Sequence, residues 1–131
     1  PLEGPMARVH RQRIRLWRAC DQLFDQLVAC HAALRLQEPE LSRALPAAGV
    51  RLLRHLRADH RPRAERALDR LDDDLALAVR RCGLLPPLLG ASRAVAIVRR
   101  RLWVPEERDG APTINRAPPD FDTLAAPLEV S

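Results

Sequence analysis

The chain has 131 residues, of which 47% are hydrophobic and 30% are charged. This length suits one domain with its own core, and the composition excludes an intrinsically disordered chain. Arginine supplies every basic side chain, and the formal charge of +5 favours acidic partners such as nucleic acid, an anionic membrane surface or an acidic protein. The sequence contains no run of about 18 apolar residues, so a membrane span is not expected.

An apolar stripe runs along residues 6–36 and predicts a long amphipathic helix. Its apolar members recur at the seven-residue spacing that places side chains on one helical face. We predict a helix from about Ala7 to Leu36, which ends before Pro39 because the residue preceding a proline disfavours the α conformation. Residues 1–5 are interpreted as a cloning remnant ahead of a native Met6. The seven-residue series is Val9, Leu16, Leu23 and Cys30, and the intervening positions of the stripe hold Arg13, Cys20, Leu27 and Leu34.

Prolines divide the segment that follows the first predicted helix into shorter helices. Pro39 is expected to start a short helix, and Pro46 is expected to separate it from a main second helix over Ala47 to Asp59, because proline inside a helix removes a hydrogen bond. A third helix is predicted after Pro62, with Asp59 or His60 at its N-cap, and it ends at Gly83. These signals give two further amphipathic helices.

The fourth predicted helix runs from Pro86 to about Val104 and is apolar over most of its circumference. After it, prolines interrupt residues 105–131, and no helical stripe continues. We therefore predict an all-α fold, a bundle of four main helices over residues 6–104, followed by an extended Pro-rich tail that docks in cis or in trans.

Candidate catalytic and metal-binding residues are few. Cys20, Cys30, His31 and Cys82 have the donor atoms that zinc prefers, but they lack the paired spacing of structural zinc sites, and buried thiols are the better interpretation. The acidic run 72–74 fans around a helix, which favours a solvated face paired with Arg66 and Arg70 over a cation site. No nucleophile elbow or cofactor fingerprint is present, so we expect neither a cofactor nor an enzyme.

Two ridges of arginine are candidates for phosphate binding. Spacings of three and four residues place each ridge on one side of its helix. If the ridges are adjacent, they could follow a phosphate backbone. The absence of exposed aromatic residues among the arginines favours solvated helical faces that the acids of helix three partly neutralise. The first ridge is Arg8, Arg11, Arg15 and Arg18 on helix one, and the second is Arg51, Arg54 and Arg57 on helix two.

The apolar surface exceeds what four short helices usually hide, which favours a non-catalytic protein–protein interaction module, an adaptor or subunit of a larger complex that binds a partner or itself. An Arg-rich protein that reads the nucleic-acid backbone is the alternative. The residues expected at a protein interface are Trp17, Phe24, Val95, Val98, Leu102, Phe121 and Leu124.

The three cysteines are an odd set, which favours a reducing intracellular compartment, cytoplasm or nucleus. The stretch that follows Met6 contains no acidic residue before Asp21. It is therefore also compatible with a mitochondrial import signal.

Overall fold

Four α-helices make up the computed structural model, which describes residues 4–102 apart from the side chains of Pro5 and Met6. No strand occurs in this range. The predicted all-α bundle is confirmed, whereas the predicted tail lies outside the described residues. The helices are α1 (Pro5–Leu34), α2 (Pro39–Arg57), α3 (Arg61–Cys82) and α4 (Pro86–Leu102).

Each helix packs against two neighbours, in the cyclic order α1, α2, α3, α4. The three connections are short, so consecutive helices run antiparallel. The start of α1, the connection 58–60 and the end of α4 therefore lie at one end of the bundle, which we call the basic end because arginines crowd it. Among residues 4–102, no helix combines the length and apolarity that crossing a bilayer requires.

Five residues that we expected at a partner interface lie instead in the core. Trp17, Phe24, Val95, Val98 and Leu102 are each at most 4% exposed. The physical reason is that α4 borders both α1 and α3, so its wide apolar face is covered from two sides by the chain itself. The other two expected interface residues, Phe121 and Leu124, lie outside the described part of the chain.

Pro46 does not divide α2, contrary to our expectation. A proline at position 46 cannot donate to the carbonyl of Ser42 four residues earlier, which would leave that carbonyl without its helical partner. Here Nδ1 of His31 lies 3.1 Å from the Ser42 carbonyl oxygen and 2.8 Å from the Ser42 hydroxyl oxygen. With the proton on Nδ1, the ring donates to both oxygens. The Ser42 hydroxyl donates in turn to the carbonyl of His31 at 3.0 Å. In this tautomer a side chain of α1 supplies the Ser42 carbonyl with a donor in place of residue 46, and the helix continues.

The connection between α2 and α3 is a tight turn around Asp59. Asp59 has a φ of 56°, a left-handed conformation that aspartate tolerates better than most residues. The backbone N–H of His60 donates to the carbonyl of His55, and that of Asp59 donates to Leu56, which closes the end of α2 as a Schellman motif. His60 then caps α3, because its Nδ1 accepts from the N–H of Arg63 at 3.2 Å. Of the two predicted N-cap residues, the structure selects His60, whereas Asp59 belongs to the end of α2.

Other helix boundaries differ slightly from those expected. α1 begins at Pro5, where proline occupies the first turn, and it ends at Leu34, so Leu36 lies in the connection with 87% of its surface exposed. Gly83 has a φ of 86° and ends α3 as predicted, with its N–H donating to Val79 at 2.7 Å.

Candidate anion-binding groove between α2 and α3

An open groove of about 500 Å³ lies between α2 and α3 towards the basic end. Four of its six lining residues are arginines, one is a histidine, and no carboxylate is among them. Ala67, which is 7% exposed, contributes the small apolar residue of the set. The lining residues are Arg51 and His55 from α2 and Arg63, Arg66, Ala67 and Arg70 from α3.

The groove is basic because α3 carries opposite charges on two sides. Arg63, Arg66 and Arg70 follow spacings of three and four residues, which align them along the side that faces α2. Glu65, Asp69 and Asp72 follow spacings of four and three, and they meet α4. The helical repeat therefore separates the arginines of α3 from most of its acids.

On the α4 side, one guanidinium engages three carboxylates. Arg99 donates to Glu65 at 3.2 Å, to Asp69 at 3.2 Å and to Asp72 at 2.7 Å. Partial burial of Arg99 disfavours its charge, but the hydrogen bond to Asp72 and the fields of the three carboxylates outweigh this and raise its pKa. These acids are consequently neutralised across the α3–α4 seam, away from the groove.

The expected pairing of the acidic run is therefore corrected in part. Arg70 does pair with Asp74, with its Nε 3.3 Å from the carboxylate. Asp69 and Asp72, by contrast, are bound by Arg99 of α4, because the rotation of α3 turns them towards that helix. Asp74 offsets part of the positive charge at one edge of the groove.

The pKa of His55 reflects the positive charges around the groove. Its pKa is lowered, first by partial burial and then by the charges of Arg63, His60, Arg54 and Arg66. The rings of His55 and His60 lie 6.5 Å apart between centroids. The imidazole of His55 is therefore mainly neutral at physiological pH, and it gains a proton more readily when a bound anion offsets the arginine charges.

The two arginine ridges that we identified in the sequence flank different seams. Arg51 of the second ridge lines the α2–α3 groove. On α1, Arg8 and Arg15 precede Gln26 by about five and three helical turns, so they share its side of the helix. Gln26 contacts Gly90 of α4, which places the first ridge beside the α1–α4 seam. The structure therefore does not join the ridges on one face.

Arg63, Arg66, Arg70 and His55 were missed as functional candidates. Their three-to-four spacing was visible in the sequence, as was the small Ala67 between them. The missing information was the rotation of α3, which decides whether its arginines face its own acids or the neighbouring helix. That rotation follows from how Ala64, Leu68 and Leu71 fill the core.

The cysteines are placed as the sequence suggested, in or near the core. Cys20 and Cys30 are fully buried, and burial raises the pKa of both thiols, that of Cys30 to about 12. The Cys30 thiol donates to the carbonyl of Pro87 at 3.3 Å, and Cys82 is half-buried. Within residues 4–102, no group of three or more His, Cys, Asp or Glu side chains is arranged to hold a metal ion.

A second, shallower groove of about 430 Å³ lies between α1 and α4 and is lined by Gln26, Pro86, Pro87, Leu89, Gly90 and Arg93. Large hydrophobic side chains of the described residues are exposed only at Val28, Leu36, Leu84 and Leu89. Among the described surfaces, the α2–α3 groove therefore has the most distinctive chemistry.

No protein-family model matches the sequence, and comparisons with curated proteins and with solved structures find no match. The residues of the α2–α3 groove therefore provide the basis for a functional proposal.

Proposed function

We propose that the protein is a non-catalytic helical binding module that holds the phosphodiester backbone of a nucleic-acid duplex in the α2–α3 groove. The observation that carries this proposal is the convergence of four arginines on one groove whose lining contains no carboxylate. Guanidinium groups form bidentate hydrogen bonds with phosphate oxygens, and a cluster of them attracts a polyanion over a range set by the ionic strength.

A duplex is favoured over a single strand because the described surface offers no stacking platform. Proteins that bind single strands place aromatic rings against the bases. The aromatic residues of the described range are Trp17 and Phe24, and both are buried in the core. Contacts limited to the phosphates predict binding with little dependence on base sequence.

The wider charge distribution favours a polymer over a compact acidic protein. Residues 4–102 contain 20 arginines and ten carboxylates, a formal charge of +10. Besides the groove, the exposed ridge of Arg8, Arg11, Arg15 and Arg18 lies beside the α1–α4 seam at the same end. The ridge and the groove lie on opposite sides of the bundle, so a stiff duplex engages one of them at a time, while the overall positive charge attracts a polyanion whose charge repeats at every base pair.

Substitution of two groove arginines tests the proposal. We expect R63Q/R66Q to weaken the binding of a duplex of about 20 base pairs and to reduce the slope of log K against log salt by about two, because each phosphate contact contributes about 0.9. Fluorescence anisotropy over about 50 to 200 mM salt measures both quantities.

R43Q/R80Q is the matched control, because it removes two exposed arginines at the other end of the same two helices. It should leave most of the affinity and the salt slope in place. Equal losses for the two double variants, or no duplex binding at low salt, would overturn the proposal. If the protein binds an acidic protein but not the duplex, its partner is a protein instead of a nucleic acid.

A further inference from the structure

The segment that follows α4 has the opposite charge to the bundle. Residues 103–131 contain six carboxylates and two arginines, a formal charge of −4. Two of the carboxylates flank an aromatic residue in the sequence Asp120-Phe121-Asp122. This acidic and aromatic motif is not used by the proposed function.

The motif is complementary to the groove in charge, and its aromatic ring has an apolar residue there to contact. In the groove, guanidinium groups surround the small, 7% exposed Ala67. An aromatic ring inserted against Ala67 would also stack on the neighbouring guanidinium planes, a cation–π contact of roughly 0.5–2 kcal/mol. The flanking carboxylates would then lie within reach of Arg63, Arg66 and Arg51, where bidentate pairing is available.

The chain is long enough to make this contact. α4 ends at Leu102 at the basic end, and the groove begins within the first turn of α3 at that same end. Asp120 follows Leu102 by 18 residues, which span up to ~60 Å when extended. The bundle is only about two helix diameters wide, or ~20–25 Å.

We propose that Asp120-Phe121-Asp122 docks into the α2–α3 groove of its own chain and competes there with the nucleic acid. The competition rests on the proposed function, whereas the docking does not. A tethered segment has a high effective concentration at a nearby site, so even a weak contact occupies the groove for much of the time. If the groove is free about one tenth of the time, the affinity for duplex falls about tenfold.

Docking is tested by paramagnetic broadening in the full chain. A spin label is attached at Thr123→Cys in a Cys82→Ser background, since Cys20 and Cys30 are buried. We expect broadening of the amide signals of residues 63–70 but not of residues 43 and 80, and its loss with D120N/F121S/D122N in the same background. Broadening centred on residues 8–18, or transfer of broadening to an unlabelled second copy, would overturn docking in cis at the groove.

Competition is tested with the same full-length variant and the duplex of the preceding section. D120N/F121S/D122N should raise duplex affinity about tenfold. The matched control E106Q/E107Q changes two acids outside the motif and should have a smaller effect. An equal effect of both variants, without broadening, would mean that general charge repulsion acts instead of docking. Broadening without any duplex binding would overturn the proposed function and leave docking intact.

Discussion

At the scale of single residues, His55 links the groove to pH. It is surrounded by arginines, and its pKa is lowered by partial burial and by those charges. A bound phosphate reverses the second effect, so the pKa of His55 is higher in the complex than in the free protein. Because the pKa of His55 is higher in the complex, the protein takes up protons when it binds, and its affinity therefore depends on pH.

We expect duplex affinity to increase as the pH falls from above the pKa of His55 in the complex towards its lowered pKa in the free protein. Above both pKa values the affinity should be constant, because His55 is neutral in both states. Anisotropy titrations between about pH 5 and 8 measure this dependence. H55Q should flatten it, and a dependence that persists in H55Q would exclude His55 as its source.

In the absence of a bound anion, the lowered pKa of His55 makes a lower pH reduce the free energy of unfolding. Because the folded pKa lies below the unfolded value of 6.5, protonation of His55 opposes folding. Its contribution to the free energy of unfolding is complete above pH 6.5 and is lost as the pH falls through the folded pKa.

At the scale of elements, helical periodicity was sufficient to predict most of the fold. The apolar spacing predicted all four helices, and Gly83 and His60 predicted two of their ends. Pro46 was interpreted wrongly because the side chain that faces the Ser42 carbonyl, His31, lies on another helix. Apart from Arg51, the charged residues of the groove escaped prediction for the same physical reason, since the rotation of α3 against α2 is a tertiary property.

The contacts of His31 with Ser42 beside Pro46 predict that substitutions of His31 and Pro46 have coupled effects on the free energy of unfolding. H31L should lower the free energy of unfolding by about 1–3 kcal/mol, because it leaves the buried Ser42 carbonyl without a donor. P46A supplies a backbone N–H at position 46, so in the H31L background it should recover about 1 kcal/mol. Urea unfolding of the single and double variants measures the coupling.

H10L provides a control for this cycle, because His10 is an exposed histidine on α1. It should change the free energy of unfolding by a few tenths of a kcal/mol at most. Strictly additive effects of H31L and P46A would contradict the compensation that we infer from the geometry.

At the scale of the whole molecule, the charge is divided between two parts of the sequence. The bundle residues 4–102 carry a formal charge of +10, whereas residues 103–131 carry −4. The opposing signs were readable in the composition, but the sequence alone did not show that α3 turns its arginines to α2 and its acids to Arg99. Like charges crowd the basic end, and repulsion among them opposes folding.

We therefore expect added salt to stabilise the protein. Raising NaCl from about 50 to 500 mM should increase the Tm by roughly 2–5 °C, because screening weakens arginine repulsion more than it weakens the few exposed ion pairs. R63Q/R66Q should show a smaller increase, as two of the repelling charges are gone, and differential scanning calorimetry compares the two proteins. A Tm that falls with salt would mean that the Arg99 cluster dominates instead.

The buried cysteines have a consequence for the protein's surroundings. Cys20 and Cys30 are sealed among apolar side chains, and burial holds both as neutral thiols, the form that neither attacks a disulfide nor is readily oxidised. Neither crosslinking nor thiol chemistry is needed to hold the helices together. These two thiols are therefore insensitive to the redox potential around the bundle, and half-buried Cys82 is the cysteine of the described residues that an oxidant reaches more readily.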